Sequence, residues 1–152
     1  MQADFPGDFD SGWQVAAATS GPELCKTAEL FGALIAARGQ DQSVLGRLPI
    51  SDRRWCMSIA ITQPLKGCRE VQFHPTDPVE VRGLTELARR LEHGFPGIWT
   101  RLRLLLPEPL ANRVDTLLPA ALAEWDPAGG PEVRAQRCWQ MCRTRATNLT
   151  AP

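Results

Sequence analysis

A chain of 152 residues, 43% hydrophobic and 22% charged, is long enough to bury a sizeable core and ordinary enough in composition for one globular domain. Its 17 basic and 17 acidic residues cancel, so the net charge says nothing about a polyanionic partner. The charge is nonetheless uneven: residues 1–80 hold 7 basic against 10 acidic groups, residues 81–152 hold 10 against 7, and all 10 of the latter are arginines.

Residues 1–19 form an acidic leader with Asp4, Asp8 and Asp10, in which Phe5, Phe9 and Trp13 are the available anchors. It reads either as a linear motif for a partner or as a tail that docks on its own domain. The acidic start is unlike the basic one of a signal peptide, and no run of about 20 apolar residues follows. A cytoplasmic protein with five reduced thiols is expected, against a secreted, disulfide-linked alternative.

Ser20-Gly21-Pro22-Glu23 is a helix start, a serine cap with an acid three residues on. Leu24, Ala28, Phe31, Leu34 and Ile35 then recur at helical spacing, and Gly39 is the stop. A short turn is expected over Ser43–Leu48. Ser51 is expected to cap a helix whose apolar side is Trp55, Cys56, Ile59 and Ala60, ended by Pro64. Residues 65–76 have no strand partner and read as a loop that lays Phe73 on the core.

The stretch Thr76–Pro109 is the expected centre of the molecule. Asp77-Pro78-Val79-Glu80 is a capping sequence, Val81, Leu84, Leu87, Ala88 and Leu91 make one apolar face, and His93-Gly94 closes the helix with a left-handed glycine. Pro96 opens a second helix carrying Ile98, Trp99, Leu102, Leu105 and Leu106, stopped by Pro107. Together they predict a central αα-hairpin, with Leu84, Leu87, Leu91, Ile98, Leu102 and Leu105 mostly buried. Leu110, Val114, Leu117, Leu118, Ala121 and Trp125 continue the period, with Pro119 expected to kink that helix or start a new one. Residues 126–131 are a loop. A last helix from Glu132 to about Arg145 carries Ala135, Cys138, Trp139, Met141 and Cys142 among Arg134, Arg137, Arg143 and Arg145. The reading is all-α: a single domain of about six helices over residues 20–146, with a tail over 147–152.

Chemistry is sparse. Cys138 and Cys142 stand four apart, close enough to share a metal, but no second paired spacing completes a tetrahedral site, and core thiols are the plainer reading. Cys56 or Cys68 with His74 and Asp77 has the residue types of a thiol nucleophile, base and orienter, without a local signature. Gly129-Gly130 lacks the lysine of a phosphate loop. The arginines around Trp139 could contact phosphates, the reading of an Arg-rich nucleic-acid regulator, which the neutral total charge opposes. No catalytic, cofactor or metal residue is assigned.

The order of segments carries more. A helix of the type ELFGALIAARG is followed by a helix ending in QPLKG, a proline-containing loop, VRGLTELARRLEHG and then GIWTRLRLLLP. Over about Glu29–Pro107, with a weaker echo in the terminal Arg/Trp helix, this resembles the SctK family of bacterial type III secretion systems (YscK, PscK, OrgA, MxiK and the rhizobial NolU). Many members are longer at the N-terminus, so a shortened member is expected. The resemblance implies no catalytic residues. It implies a non-enzymatic adaptor of the sorting platform at the cytoplasmic face of the inner membrane, connecting the cytoplasmic domain of the ring protein SctD to the SctQ pods and through them to SctL and the ATPase, without nucleic acid or membrane insertion.

An adaptor needs arginine and aromatic side chains left off its core faces. The candidates are Arg89 and Arg90 beside the first apolar stripe, Arg101 and Arg103 flanking Trp99, and Arg137 and Arg145 bracketing Trp139, expected to meet an acidic partner surface. The alternative is that they only solubilise the helices.

Overall fold

Ser20 sits in extended backbone and its hydroxyl accepts the Glu23 N–H at 3.4 Å, so the chain turns into helix where the cap requires it. The computed structural model describes residues 20–39, 41–62, 73–74, 76–94, 97–123 and 132–150. Among these there are seven α-helices and no strand. They are α1 (Gly21–Arg38), α2 (Gln42–Leu45), α3 (Ile50–Thr62), α4 (Val79–Gly94), α5 (Ile98–Leu102), α6 (Glu108–Ala123) and α7 (Glu132–Thr150), with a 3-10 turn at Arg103–Leu105. The protein is all-α, and no described helix is long and apolar enough to cross a membrane. The leader, Cys68 and most of the 65–76 loop, Pro96, Trp125 and the 126–131 loop lie outside the described residues.

The hub is α1. It buries Leu24, Thr27, Ala28 and every residue from Leu30 to Ala36, and it packs on α4, α7, α3 and α2. A helix apolar all round belongs at the centre. The expected αα-hairpin is therefore not the core's axis: α4 does bury Val81, Leu84, Leu87, Ala88 and Leu91, but its main partner is α1. The two approach so closely because glycines meet at the crossing. A Cβ built on Gly83 would overlap the Ala28 carbonyl oxygen, and one on Gly32 would stand 2.8 Å from the Gly83 nitrogen and the Val79 oxygen.

Several boundaries differ from expectation. The left-handed glycine is Gly97, at φ 101° ahead of α5, while Gly94 is the last residue of α4. The second helix of the pair is short and tightens into the 3-10 turn. At three residues per turn this swings Leu105 outward, so it is exposed whereas Trp99, Leu102 and Leu106 are buried. Ser51 lies inside α3, which starts one residue earlier at Ile50. Helix α6 runs through Pro119, which lies exposed on its outer side, and α7 continues past Arg145 to Thr150. Asp77 takes a tertiary role: its carboxylate accepts from Arg113 Nε and Nη2 at 2.9 and 3.0 Å and from the His74 N–H at 2.8 Å. Phe73 is half-buried against the core with the Arg82 guanidinium 4.6 Å over its ring.

Candidate partner-docking site

Helix α7 has two faces, set by its period. Ala135, Cys138, Trp139, Cys142 and Ala146 point into the core, where the Trp139 ring meets Phe31 edge-on at 5.3 Å. Arg137, Gln140, Met141, Thr144 and Arg145 lie on the other side and, with Trp55 of α3, line an open groove of about 510 Å³. Residues 137, 141 and 145 are spaced by fours, so the two arginines bracket Met141. Trp55 and Met141 give the groove an apolar floor and Arg137 a charged rim.

Beside the groove a carboxylate is buried between three helices. Asp52, in the first turn of α3, accepts from Lys26 Nζ of α1 at 2.9 Å and from Arg145 Nε and Nη2 of α7 at 3.1 and 2.9 Å. Lys26 also reaches Glu29 at 2.7 Å. Burial by itself would raise the Asp52 carboxyl, but the hydrogen bonds from Lys26 and Arg145 outweigh it and hold the group below the usual carboxylate range. The guanidinium of Arg145 lies 5.3 Å from the Trp55 ring, so one side chain both ties α7 to α3 and walls the groove.

Of the eight docking candidates, four are not on an accessible surface. Arg89 and Arg90 are buried, turned inward by Glu86 at i−3 and i−4: Arg89 Nε and Arg90 Nη1 donate to Glu86 Oε1 at 2.9 and 2.6 Å. Trp99 is buried and its indole N–H donates to Asp115 at 2.8 Å. Trp139 is fully buried because position 139 falls on the core seam of α7, not between the arginines. Arg103 is half-buried and engaged with Asp115 at 2.8 Å and Asn112 at 3.1 Å, which fastens the 3-10 turn to α6. Arg101 is exposed, beside a Leu104 that is 77% exposed, on a different part of the surface. Of the eight candidates, Arg137 and Arg145 are the two that line the groove. Sequence reasoning missed Asp52, Glu86, Trp55 and Met141 as parts of these arrangements. The Glu-x-x-Arg-Arg spacing at Glu86 was a readable signal, whereas nothing local marks Asp52 as the partner of residues 26 positions before it and 93 after it.

The remaining chemistry resolves into packing. Cys56 is buried with its Sγ 3.7 Å from the Leu30 carbonyl oxygen, and burial, with Asp52 adding in the same direction, pushes the thiol up to about 12. That is the reverse of an activated nucleophile. Cys138 and Cys142 are fully buried on the core seam, and burial drives the Cys142 thiol far up. Among the described residues no three His, Cys, Asp or Glu side chains gather as a metal site. A second cleft of about 250 Å³ holds Asp41, Arg47, Asp77 and Arg82, but these groups are already engaged, the Asp77 carboxylate by Arg113. Arg82 pairs with Asp41 at 3.4 Å and Arg47 donates to the Asp77 carbonyl at 2.6 Å.

No family model, curated protein or solved structure matches the chain.

Proposed function

We propose that this protein is a non-enzymatic adaptor whose docking site is the α3–α7 groove. The observation that carries the reading is the groove itself, with the apolar floor of Trp55 and Met141 opening to solvent under Arg137, which makes no ion pair among the described residues. A site of this make suits an amphipathic, acidic peptide or helix that seats an aromatic or aliphatic anchor on the floor and a carboxylate on the rim. The resemblance to the SctK family supplies the setting: the sorting platform of a type III secretion system, with SctD and SctQ as the partners joined. The balanced total charge and the engagement of Arg89, Arg90, Arg103 and Arg145 with carboxylates favour this over a nucleic-acid regulator.

Arg137→Glu with Met141→Glu tests it, because neither side chain belongs to the core or to the Asp52 network. The variant should keep its helical circular dichroism and its melting point and lose co-purification with the SctD cytoplasmic domain or with SctQ. Capture of both partners at wild-type level by the folded variant would remove the groove as the docking site. Binding to duplex DNA that falls steeply with salt would instead support the regulator.

A further inference from the structure

We infer that the acidic leader, residues 1–19, docks in cis on the α3–α7 groove and occupies the site a partner must take. The first argument is attachment. The leader joins the helical domain at Ser20, and the first turn of α1 lies directly against α7: Glu23 Oε1 is 3.4 Å from Arg143 Nη2, two residues from the groove residue Arg145. One turn further along α1, Lys26 shares Asp52 with Arg145 itself. The leader therefore leaves from the end of α1 that packs on α7 and, at Gly21, against the Leu105 carbonyl of the 3-10 turn, within chain reach of the groove. From Arg137 to Arg145 the groove spans about 12 Å of helix, and 19 residues reach about 60 Å when extended, so the tether imposes no strain.

The second argument is complementarity. The leader brings Phe5, Phe9 and Trp13 together with Asp4, Asp8 and Asp10, and no basic residue precedes Lys26. The groove brings the opposite set: an apolar floor at Trp55 and Met141, and Arg137 with no ion pair among the described residues. Aromatic rings would cover the floor and the aspartates would meet the arginine rim, the same chemistry that the proposed external ligand needs. A tether this short gives the leader an effective concentration in the millimolar range. An external acidic segment must therefore compete with it, and weak ligands are excluded while strong ones are admitted. The inference takes the groove from the adaptor reading but not the identity of any partner.

The test follows oxidation of methionine in the full chain by dilute peroxide, read residue by residue by mass spectrometry. Met141 lies in the groove; Met57 is exposed on the outward face of α3 and serves as the internal control. In the variant Phe9→Asp with Trp13→Asp, Met141 should oxidise roughly fivefold faster than in the wild type, the factor for a leader docked about 80% of the time, while Met57 is unchanged. Arg137→Glu should produce the same rise, and a synthetic peptide of residues 1–19 should restore protection to the leader variant where a scrambled one does not. Equal Met141 rates in wild type and both variants overturn the inference, as does equal protection by the scrambled peptide. Partner capture is read separately. Met141 protection in the wild type with no SctD or SctQ capture even by the Phe9→Asp, Trp13→Asp variant leaves the leader docking in place and removes the adaptor reading; capture without protection does the reverse.

Discussion

Substitution of Gly83 by alanine probes the crossing on which the fold depends. An added methyl at Gly83 would overlap the carbonyl oxygen of Ala28, with the Ala28 carbonyl carbon at 2.7 Å and the Gly32 nitrogen at 2.9 Å. All three neighbours are backbone, so no rotamer change relieves the contact and α1 must move off α4, loosening the most extensive helix pair among the described residues. Overpacking of this kind costs about 1–3 kcal/mol, and a backbone clash belongs at or beyond the upper end. Alanine regains about 1 kcal/mol of helix propensity over glycine. The net loss is about 2 kcal/mol, a substantial part of a stability of roughly 5–15 kcal/mol. In a chain of this size it should lower the melting temperature by about 4–8 °C. The assay is thermal and urea unfolding followed by far-ultraviolet circular dichroism, with Gly39→Ala as control. At Gly39 the φ is −84° and an added Cβ stands 3.7 Å from the nearest atom outside its neighbours, so that variant should be neutral or slightly stabilised. If Gly83→Ala is as stable as Gly39→Ala, the close crossing of α1 and α4 is wrong.

Other outcomes follow from the same geometry. Leu87→Ala and Leu102→Ala, at fully buried positions, should each cost about 2–5 kcal/mol in urea unfolding, and unchanged midpoints would mean the faces are misassigned. Asp52, Asp77 and Asp41 have carboxyls held below their ordinary range. Their stabilisation is therefore present above the unfolded value near pH 4 and lost as the pH falls through the lower folded values. Asp52→Asn should weaken the protein at neutral pH and flatten its acid limb; an acid limb as steep as the wild type's would count against the Asp52 network. Glu80 has the opposite sign, since burial raises its carboxyl, and Glu80→Gln should lose no stability at neutral pH when compared by the same unfolding curves. Native Cys56, Cys138 and Cys142 should resist a thiol reagent at mildly alkaline pH until denaturant is added, whereas fast labelling of any of the three in the folded protein would contradict their burial.

Much of the local structure was legible in the chain because it depends on near neighbours. The Ser20 cap, the apolar face Val81–Leu91, the seam Ala135–Cys142 and the all-α class follow from periodicity and capping, which act over a turn or two of helix. The burial of Cys138 follows from the same period, and so does that of Trp139, which the docking reading had set on the surface between Arg137 and Arg145. What the tertiary structure decided involves partners far apart in sequence. A run as apolar as residues 30–36 marks α1 as buried, but its place at the hub depends on Gly32 meeting Gly83 across 51 residues, a contact with no local signature. The arginines show the same division. A guanidinium's fate is set by the carboxylate it reaches: Arg89 and Arg90 find theirs three and four residues back, a spacing readable in the chain, whereas Arg145 finds its own 93 residues away. Glu86 draws the first two into the interior, Asp52 draws Arg145 across to α3, and Arg137 is left on the rim of the groove.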